Sequence, residues 1–295
     1  MYSAGLGWSW SYAQIYVLPG CSPQRTMRLM GMCDRGRALV VALGVAAVVV
    51  AMGVTASPAG AAPKAARPYD FDGNGYPDVA IGAPALRVGS VRRAGGVVVL
   101  PSSKKGPSLR EKVITQSSRG VPGASERDDQ FGAAVASADF NRDGFADLAV
   151  GQPGETVGDE SEAGLVTVVY GSRSGLNTRR SVTIGRPGGA QWEAKWGQSL
   201  VAADFDADGF VDLAVGAPSL WNGLVAILSG GPSGLSSTPK AVLKRQKESG
   251  PEPEVDDGDY WFGAGLATAD LDGDHDTDLV VMSAGEASEG GFYPG

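Results

Sequence analysis

The chain reads as an all-β repeat protein, a β-propeller assembled from four-stranded blades of about 65 residues each. Two observations carry this reading. One pattern occurs four times, as DFDGNGYPDVAIGAP from Asp70, DFNRDGFADLAVGQP from Asp139, DFDADGFVDLAVGAP from Asp204 and DLDGDHDTDLVVMSAG from Asp270, with starts 69, 65 and 66 residues apart. Around the copies lie short apolar or β-branched runs punctuated by turn residues, and helical periodicity is not sustained anywhere after the first 61 residues. A β-sandwich would not repeat its loop chemistry at this interval.

Repeat two shows the elements of a blade in order. The small, apolar stretch Phe131 to Ala138 predicts a first strand, and an acidic loop follows it. Leu148 to Val150 predicts the second strand, Leu165 to Tyr170 the third and Ser181 to Ile184 the fourth. Gly171, Gly175 and the stretch from Arg186 to Gly189 mark the turns between them. The flanks recur in the other copies: FGAAVASADF from Phe131, WGQSLVAADF from Trp196 and FGAGLATADL from Phe262 precede the loops, whereas GGVVVLPSSKKG from Gly95, AGLVTVVYGSRSGL from Ala163 and NGLVAILSGGPSGL from Asn222 follow them. The repeat cores span 70–84, 131–153, 196–218 and 262–285. Abundant Gly and Ala, with 44 Gly in 295 residues, suit blades that crowd against one another.

The front of the chain has the pattern of an export signal. Ala38 to Val54 is an uncharged apolar run, preceded by Arg28, Arg35 and Arg37 and followed by small residues from Ser57 to Ala62. The run is short for a membrane span, which needs about 20 apolar residues. Cleavage after Ala61 is expected, leaving no membrane span. Residues 1–26 are expected to precede the translated start, with Met27, Met30 or Met32 as the initiator, so the signal peptide is 27–61 and the mature propeller 62–295. Both cysteines, Cys21 and Cys33, fall before the cut, so the exported domain must be held by its core, by metal ions or by both.

The net charge is −8, with 33 acidic and 25 basic side chains, and loss of the Arg-rich signal makes the mature chain more acidic still. An acidic chain with scattered basic residues lacks the footprint needed for nucleic acid. The loops account for much of the acidity. In copy three Asp204, Asp206, Asp208 and Asp212 stand at positions 1, 3, 5 and 9, with Gly209 at position 6 and the Phe210 carbonyl available at position 7. Alternate positions of a tight loop turn their oxygens inward, and the glycine permits the bend. Such a donor set suits Ca²⁺, with six to eight oxygen ligands, and suits Mg²⁺ less well. Copy one offers Asp70, Asp72, Asn74, Tyr76 and Asp78, and copy two offers Asp139, Asn141, Asp143, Phe145 and Asp147. Copy four offers Asp270, Asp272, Asp274, Asp276 and Asp278 but has His275 where the others have Gly. Up to four Ca²⁺ ions are expected, one per loop. The loop is not an EF-hand, because Asp closes it at position 9 and a strand follows.

Phe-Gly before the loop, as in Phe131-Gly132 and Phe262-Gly263, and Gly-Ala-Pro after it, as in Gly82 to Pro84 and Gly216 to Pro218, resemble FG-GAP repeats. These are the units of the integrin α-subunit propeller. Departures are Gly151-Gln152-Pro153, Trp196-Gly197, Ser283-Ala284-Gly285 and the missing Phe-Gly half of copy one. The resemblance implies a seven-bladed ring, of which this sequence holds about three and a half blades, and hence a fragment or incomplete gene model. It places the Ca²⁺ loop between the first two strands on the lower face. Partner-binding loops lie opposite, here Leu86 to Gly95, Glu155 to Ala163, Gln191 to Lys195 and Glu248 to Tyr260.

No catalytic constellation accompanies these features. The sole histidine sits within the fourth loop, and no G-x-S-x-G elbow or H-E-x-x-H pair is present. Trp192, Trp196, Trp221 and Trp261 either pack between blades or form a contact surface. The acidic runs Asp159 to Glu162 and Glu252 to Asp259 read as solvated loops. The expectation is a secreted, calcium-stabilised binding or adhesion scaffold with an extracellular protein or glycan partner. The alternative is the propeller portion of a secreted phospholipase-like or esterase-like hydrolase.

Overall fold

The computed structural model describes residues 13–18, 64–218, 223–244, 261–274 and 276–284. Residues 27–61, where an export signal is expected, Trp221, His275 and residues 248–260 lie outside the described residues. Among the described residues sixteen strands run in chain order: β1 (Ala13–Leu18), β2 (Val79–Gly82), β3 (Val97–Leu100), β4 (Ser102–Ser103), β5 (Gly106–Pro107), β6 (Lys112–Ile114), β7 (Ala134–Ala138), β8 (Asp147–Gln152), β9 (Leu165–Val169), β10 (Val182–Ile184), β11 (Ser199–Ala203), β12 (Asp212–Ala217), β13 (Leu224–Leu228), β14 (Pro239–Lys244), β15 (Trp261–Ala269) and β16 (Asp278–Ala284).

Each repeat forms one antiparallel sheet. Blade 2 is β7-β8-β9-β10 and blade 3 is β11-β12-β13-β14, each with neighbours in sequence paired in space. Blade 1 has three strands, β2-β3-β6, with the small hairpin β4-β5 beside it. In blade 4, β15 pairs with β16, whose other edge carries β1. The first strand of blade 2 is shorter than expected, Ala134–Ala138 in place of Phe131 to Ala138, because Phe131 and Gly132 turn aside to contact blade 1. The second strand is longer, extending through Gly151 and Gln152.

Alternate residues of a strand face opposite ways, and both faces of the middle blades are covered. Leu148, Val150 and Val169 of blade 2 pack with Phe71, Val97, Val99 and Ile114 of blade 1. The other face offers Ala149, Val166 and Val168 to Leu213, Val215, Leu224, Ala226 and Leu228 of blade 3. Blade 3 in turn sets Ala214, Val225 and Ile227 against Phe262, Leu279 and Val281 of blade 4. Double coverage explains why β8 and β12 are buried at every position and read as unbroken apolar runs. At the position of Val150 and Val215, both fully buried, blade 1 has Ile81 at 51% exposure.

The glycines of the repeat sit where one main chain touches the next. A Cβ on Gly82, Gly151 or Gly216 would come within 2.1, 1.9 or 2.2 Å of the carbonyl oxygen of Gly132, Gly197 or Gly263 in the following blade. Those three partners are themselves left-handed, with φ of 89°, 87° and 89°, a region that only glycine enters freely. Blade 4 differs at this point. Met282 takes the glycine position and lies against Gly265, where a Cβ would meet the sulfur at 2.9 Å.

Candidate metal centre

In blades 2 to 4 the acidic loop joins the first strand to the second, in blade 1 it leads into β2, and a ladder of local hydrogen bonds shapes each of the four. The N–H at position 6 donates to the first carboxylate: Gly75 to Asp70 at 2.9 Å, Gly144 to Asp139 at 3.0 Å and Gly209 to Asp204 at 2.9 Å. The side-chain oxygen at position 3 accepts from the N–H at position 5, as in Asn74 to Asp72, Asp143 to Asn141, Asp208 to Asp206 and Asp274 to Asp272. Position 5 then accepts from position 7, with Tyr76, Phe145, Phe210 and Asp276 as donors. These are successive Asx turns, which Asp and Asn make better than other residues. They gather side-chain oxygens on one side of the loop and turn positions 2 and 8 away.

Position 4 adopts a left-handed conformation in every loop, at Gly73, Arg142, Ala207 and Gly273. The repeat pattern does not reveal this for Arg142 and Ala207, since neither is a residue that favours such a backbone.

The closing aspartates have a second task. Asp78 accepts from the N–H groups of Phe71 and Ser102, Asp147 from Phe140 and Gly171, and Asp212 from Phe205 and Gly230. Asp278 accepts from Leu271. Each carboxylate of the first three thus ties the start of its loop to the end of the third strand. Burial pushes the Asp147 carboxyl up to about 7 and the Asp212 carboxyl up to about 6, against the pull of these N–H donors. Asp78 is raised by burial too. A carboxylate has about four lone-pair positions, so two N–H bonds leave room for a cation, and a nearby cation favours the ionised form.

The residues fit a hard cation. Asp70 Oδ1, Asp204 Oδ1 and Asp278 Oδ1 are buried and accept no hydrogen bond. Carboxylate oxygens of Asp204, Asp206 and Asp208 lie within 4.8 Å of one another, as do those of Asp270, Asp272 and Asp278. Like charges so close, with buried oxygens left over, call for positive charge between them, and an all-oxygen set suits Ca²⁺ or Mg²⁺ above a transition metal. Tyr76, Phe145 and Phe210 are at position 7, where the ligand would be the main-chain carbonyl. Adjacent loops also touch: the Arg142 guanidinium lies 5.6 Å from the centre of the Phe210 ring, and a Cβ on Gly73 would meet the Phe145 ring at 3.1 Å.

At the opposite ends of the strands, the loops from Leu86 to Gly95 and from Glu155 to Ala163 share one build. A bridge pairs Val88 with Val91 and Val157 with Glu160, and Gly95 N–H and Gly164 N–H close the loops onto Leu86 and Glu155 carbonyls at 3.0 and 2.9 Å. Glu155 itself turns inward, accepting from Gln116 Nε2 at 2.7 Å. Of the tryptophans, Trp196 is buried and donates to the Ile184 carbonyl at 3.0 Å, while Trp192 and Trp261 are 56% and 45% exposed. Among the described residues no helix is long and apolar enough to cross a membrane.

The FG-GAP repeat family matches residues 65–100, 131–169 and 196–228, which are blades 1 to 3 without their outer strands. The chain is 35% identical over 165 residues to phosphatidylinositol-glycan-specific phospholipase D of Rattus norvegicus, covering 52% of this chain and 18% of that protein. It is 33% identical over 158 residues to integrin alpha-PS5 of Drosophila melanogaster, covering 52% and 15%, and 32% identical over 196 residues to integrin alpha-7 of Rattus norvegicus, covering 65% and 15%. The chain therefore spans less than a fifth of the length of these relatives. Four antiparallel blades, the Phe-Gly and Gly-Ala-Pro contacts between them and these matches lead to one conclusion: the chain carries FG-GAP repeats, in an all-β partial propeller that resembles that of the integrin α subunit.

Proposed function

We propose that this chain is a secreted, calcium-stabilised scaffold that binds an extracellular protein or glycan and has no catalytic machinery of its own. The buried, unpartnered oxygens of Asp70, Asp204 and Asp278 carry the metal part of this reading. Calcium would supply the positive charge that lets these carboxylates remain ionised side by side. The chain's own residues do the rest. Positions 1, 3, 5 and 9 and the position-7 carbonyl present the oxygens, and the closing aspartate links the loop to the third strand, so metal binding and blade stability are coupled. The exposed Trp192 and Trp261, at the ends of the strands away from the acidic loops, support a contact surface on the other face.

The test is thermal unfolding of the mature chain with Ca²⁺ and with chelator, alongside counting of bound calcium. A higher melting temperature with calcium and up to four ions per chain is expected. Equal melting with no bound ion sinks the metal reading. For the partner, calcium-dependent capture on immobilised extracellular glycans and proteins, lost when Trp192 and Trp261 are both changed to Ala, is the expected result.

The similarity to phosphatidylinositol-glycan-specific phospholipase D favours a second reading, in which the blades are the accessory portion of a secreted hydrolase. Phosphodiesterase activity copurifying with a longer form of the chain, and absent from residues 62–295, would select it.

A further inference from the structure

Loop three carries four carboxylates at positions 1, 3, 5 and 9, one more than loop one or loop two, each of which has an Asn among these positions. It also has a feature that those two lack. The Lys240 ammonium, reaching from β14 in the outer part of the same blade, pairs with the Asp206 carboxylate at position 3. Ala241 pairs with Ile227 as Val182 pairs with Val168 and Lys112 with Val99, but Leu228 pairs with Pro239, so Lys240 is the unpaired residue of a bulge in β14. The residue just before Ala241, Val182 or Lys112 is Lys240 in blade 3, Ser181 in blade 2 and Glu111 in blade 1. In blade 2 Arg180 pairs with Asp143 at position 5, at 3.8 Å, and lies over the Tyr170 ring. Among the described residues no ion pair reaches Asp70, Asp72 or Asp78 of loop one. Lys240 brings the third loop, with its four carboxylates, back to the net charge of the three-carboxylate loop one.

Resting on the calcium reading above, we infer that Lys240 is the resident cation of loop three, displaced when a calcium ion binds. Its ammonium offsets part of the repulsion among Asp204, Asp206, Asp208 and Asp212 when no metal is bound, so this blade keeps its hairpin at low calcium. The same charge weakens calcium binding, because the ion must either expel the ammonium or share the loop with it. Loop three then fills alongside loop one as calcium rises, whereas its carboxylate count alone would make it fill before loops one and two. The ammonium is on a flexible four-carbon stem and can swing into water when the metal arrives.

The experiment is calcium titration calorimetry of the mature chain, with chelator melts in parallel, on wild type, Lys240→Met, Lys240→Arg and Asp204→Asn, and on Asp204→Asn combined with Lys240→Met. Lys240→Met is expected to tighten one site by roughly tenfold and to lower the melting temperature in chelator. Lys240→Arg should behave as wild type. In the Asp204→Asn background, Lys240→Met should leave calcium binding unchanged, which assigns the effect to loop three. If calcium binds normally to wild type but Lys240→Met changes neither the affinity nor the chelator melt, the role of Lys240 is overturned while the calcium reading stands. If no variant binds calcium, both fall together.

Discussion

Replacing Gly151 by Ala should separate blade 2 from blade 3. The new Cβ would be 1.9 Å from the Gly197 carbonyl oxygen and 3.0 Å from its carbon. Ordinary carbon-to-oxygen contact requires more than 3 Å, so the blades must part by over an ångström at that point or the main chain must bend. Neither group can rotate away, since Gly151 is in the middle of the buried run of β8 and Gly197 N–H donates to the Gly216 carbonyl of its own blade at 3.0 Å. A gap of that size would loosen the contact of Ala149, Val166 and Val168 with Leu213, Val215 and Leu224. Overpacking a rigid core costs about 1–3 kcal/mol and more where backbone opposes it, so a loss of about 3 kcal/mol or greater is expected. The assay is equilibrium denaturation by urea with tryptophan fluorescence, since Trp196 is buried at this same junction. Gly185→Ala is the matched control, because its Cβ would meet only Leu165 Cδ2 at 3.6 Å, and it should be neutral or slightly stabilising. If Gly151→Ala unfolds at the same urea concentration as Gly185→Ala, the docking account is wrong.

Three further outcomes follow from buried polar groups. Burial, aided by repulsion from Asp129 and Glu126 and opposed by the Gln116 hydrogen bond, pushes the Glu155 carboxyl from 4.5 up to about 7. The folded chain therefore holds a proton there that the unfolded chain releases, and stability falls as pH rises through that window, by about 3 kcal/mol at most. Glu155→Gln should match wild type in denaturant at pH 5 and exceed it at pH 8; equal differences at the two values would refute the assignment. Trp196→Phe removes the indole donor to the buried Ile184 carbonyl and should cost about 1–3 kcal/mol, with Trp196→Ala costing about 3–5 kcal/mol, both read from denaturant midpoints. In chelator, Asp147→Ala strands the buried N–H groups of Phe140 and Gly171 and should cost about 2–4 kcal/mol, while Asp143→Ala stays close to neutral; similar losses for the two would mean that the closing aspartate is not a structural tie.

The order of the blades, their strands and the acidic loops were legible because each is written in residue type. Carboxylates at positions 1, 3, 5 and 9, β-branched runs such as Leu165–Val169, and turn glycines announce themselves without any neighbour. What was not legible depends on the neighbour. Gly82, Gly151 and Gly216 open the Gly-Ala-Pro motif and its Gly-Gln-Pro variant, but the motif does not say that their lack of a side chain serves a carbonyl in the next blade. Asp147 and Asp212 read as ligands and are also acceptors for N–H groups of Gly171 and Gly230, 24 and 18 residues away. Glu155 fell within a loop assigned to partner contact but is turned under it to Gln116. Lys240 carries no signal in the sequence, because its approach to Asp206 is set by how β14 folds back along the blade. The tryptophans divided: Trp196 closes a junction, whereas Trp192 and Trp261 remain exposed.

Contact between bare main chains has a further consequence for how such repeats diverge. At all three junctions the limiting distance is between a glycine and a peptide carbonyl, so the angular step from blade to blade is gauged by atoms that every sequence possesses. Side chains around the gauge vary freely: Phe131 is replaced by Trp196 and Ala83 by Gln152 without changing the contact. Neighbouring repeats can therefore drift far apart in composition while the curvature of the array remains constant. The tolerance ends at a handful of glycines, where a single methyl group alters the step. Met282 marks the one described blade in which a side chain stands where the other three carry the gauging glycine.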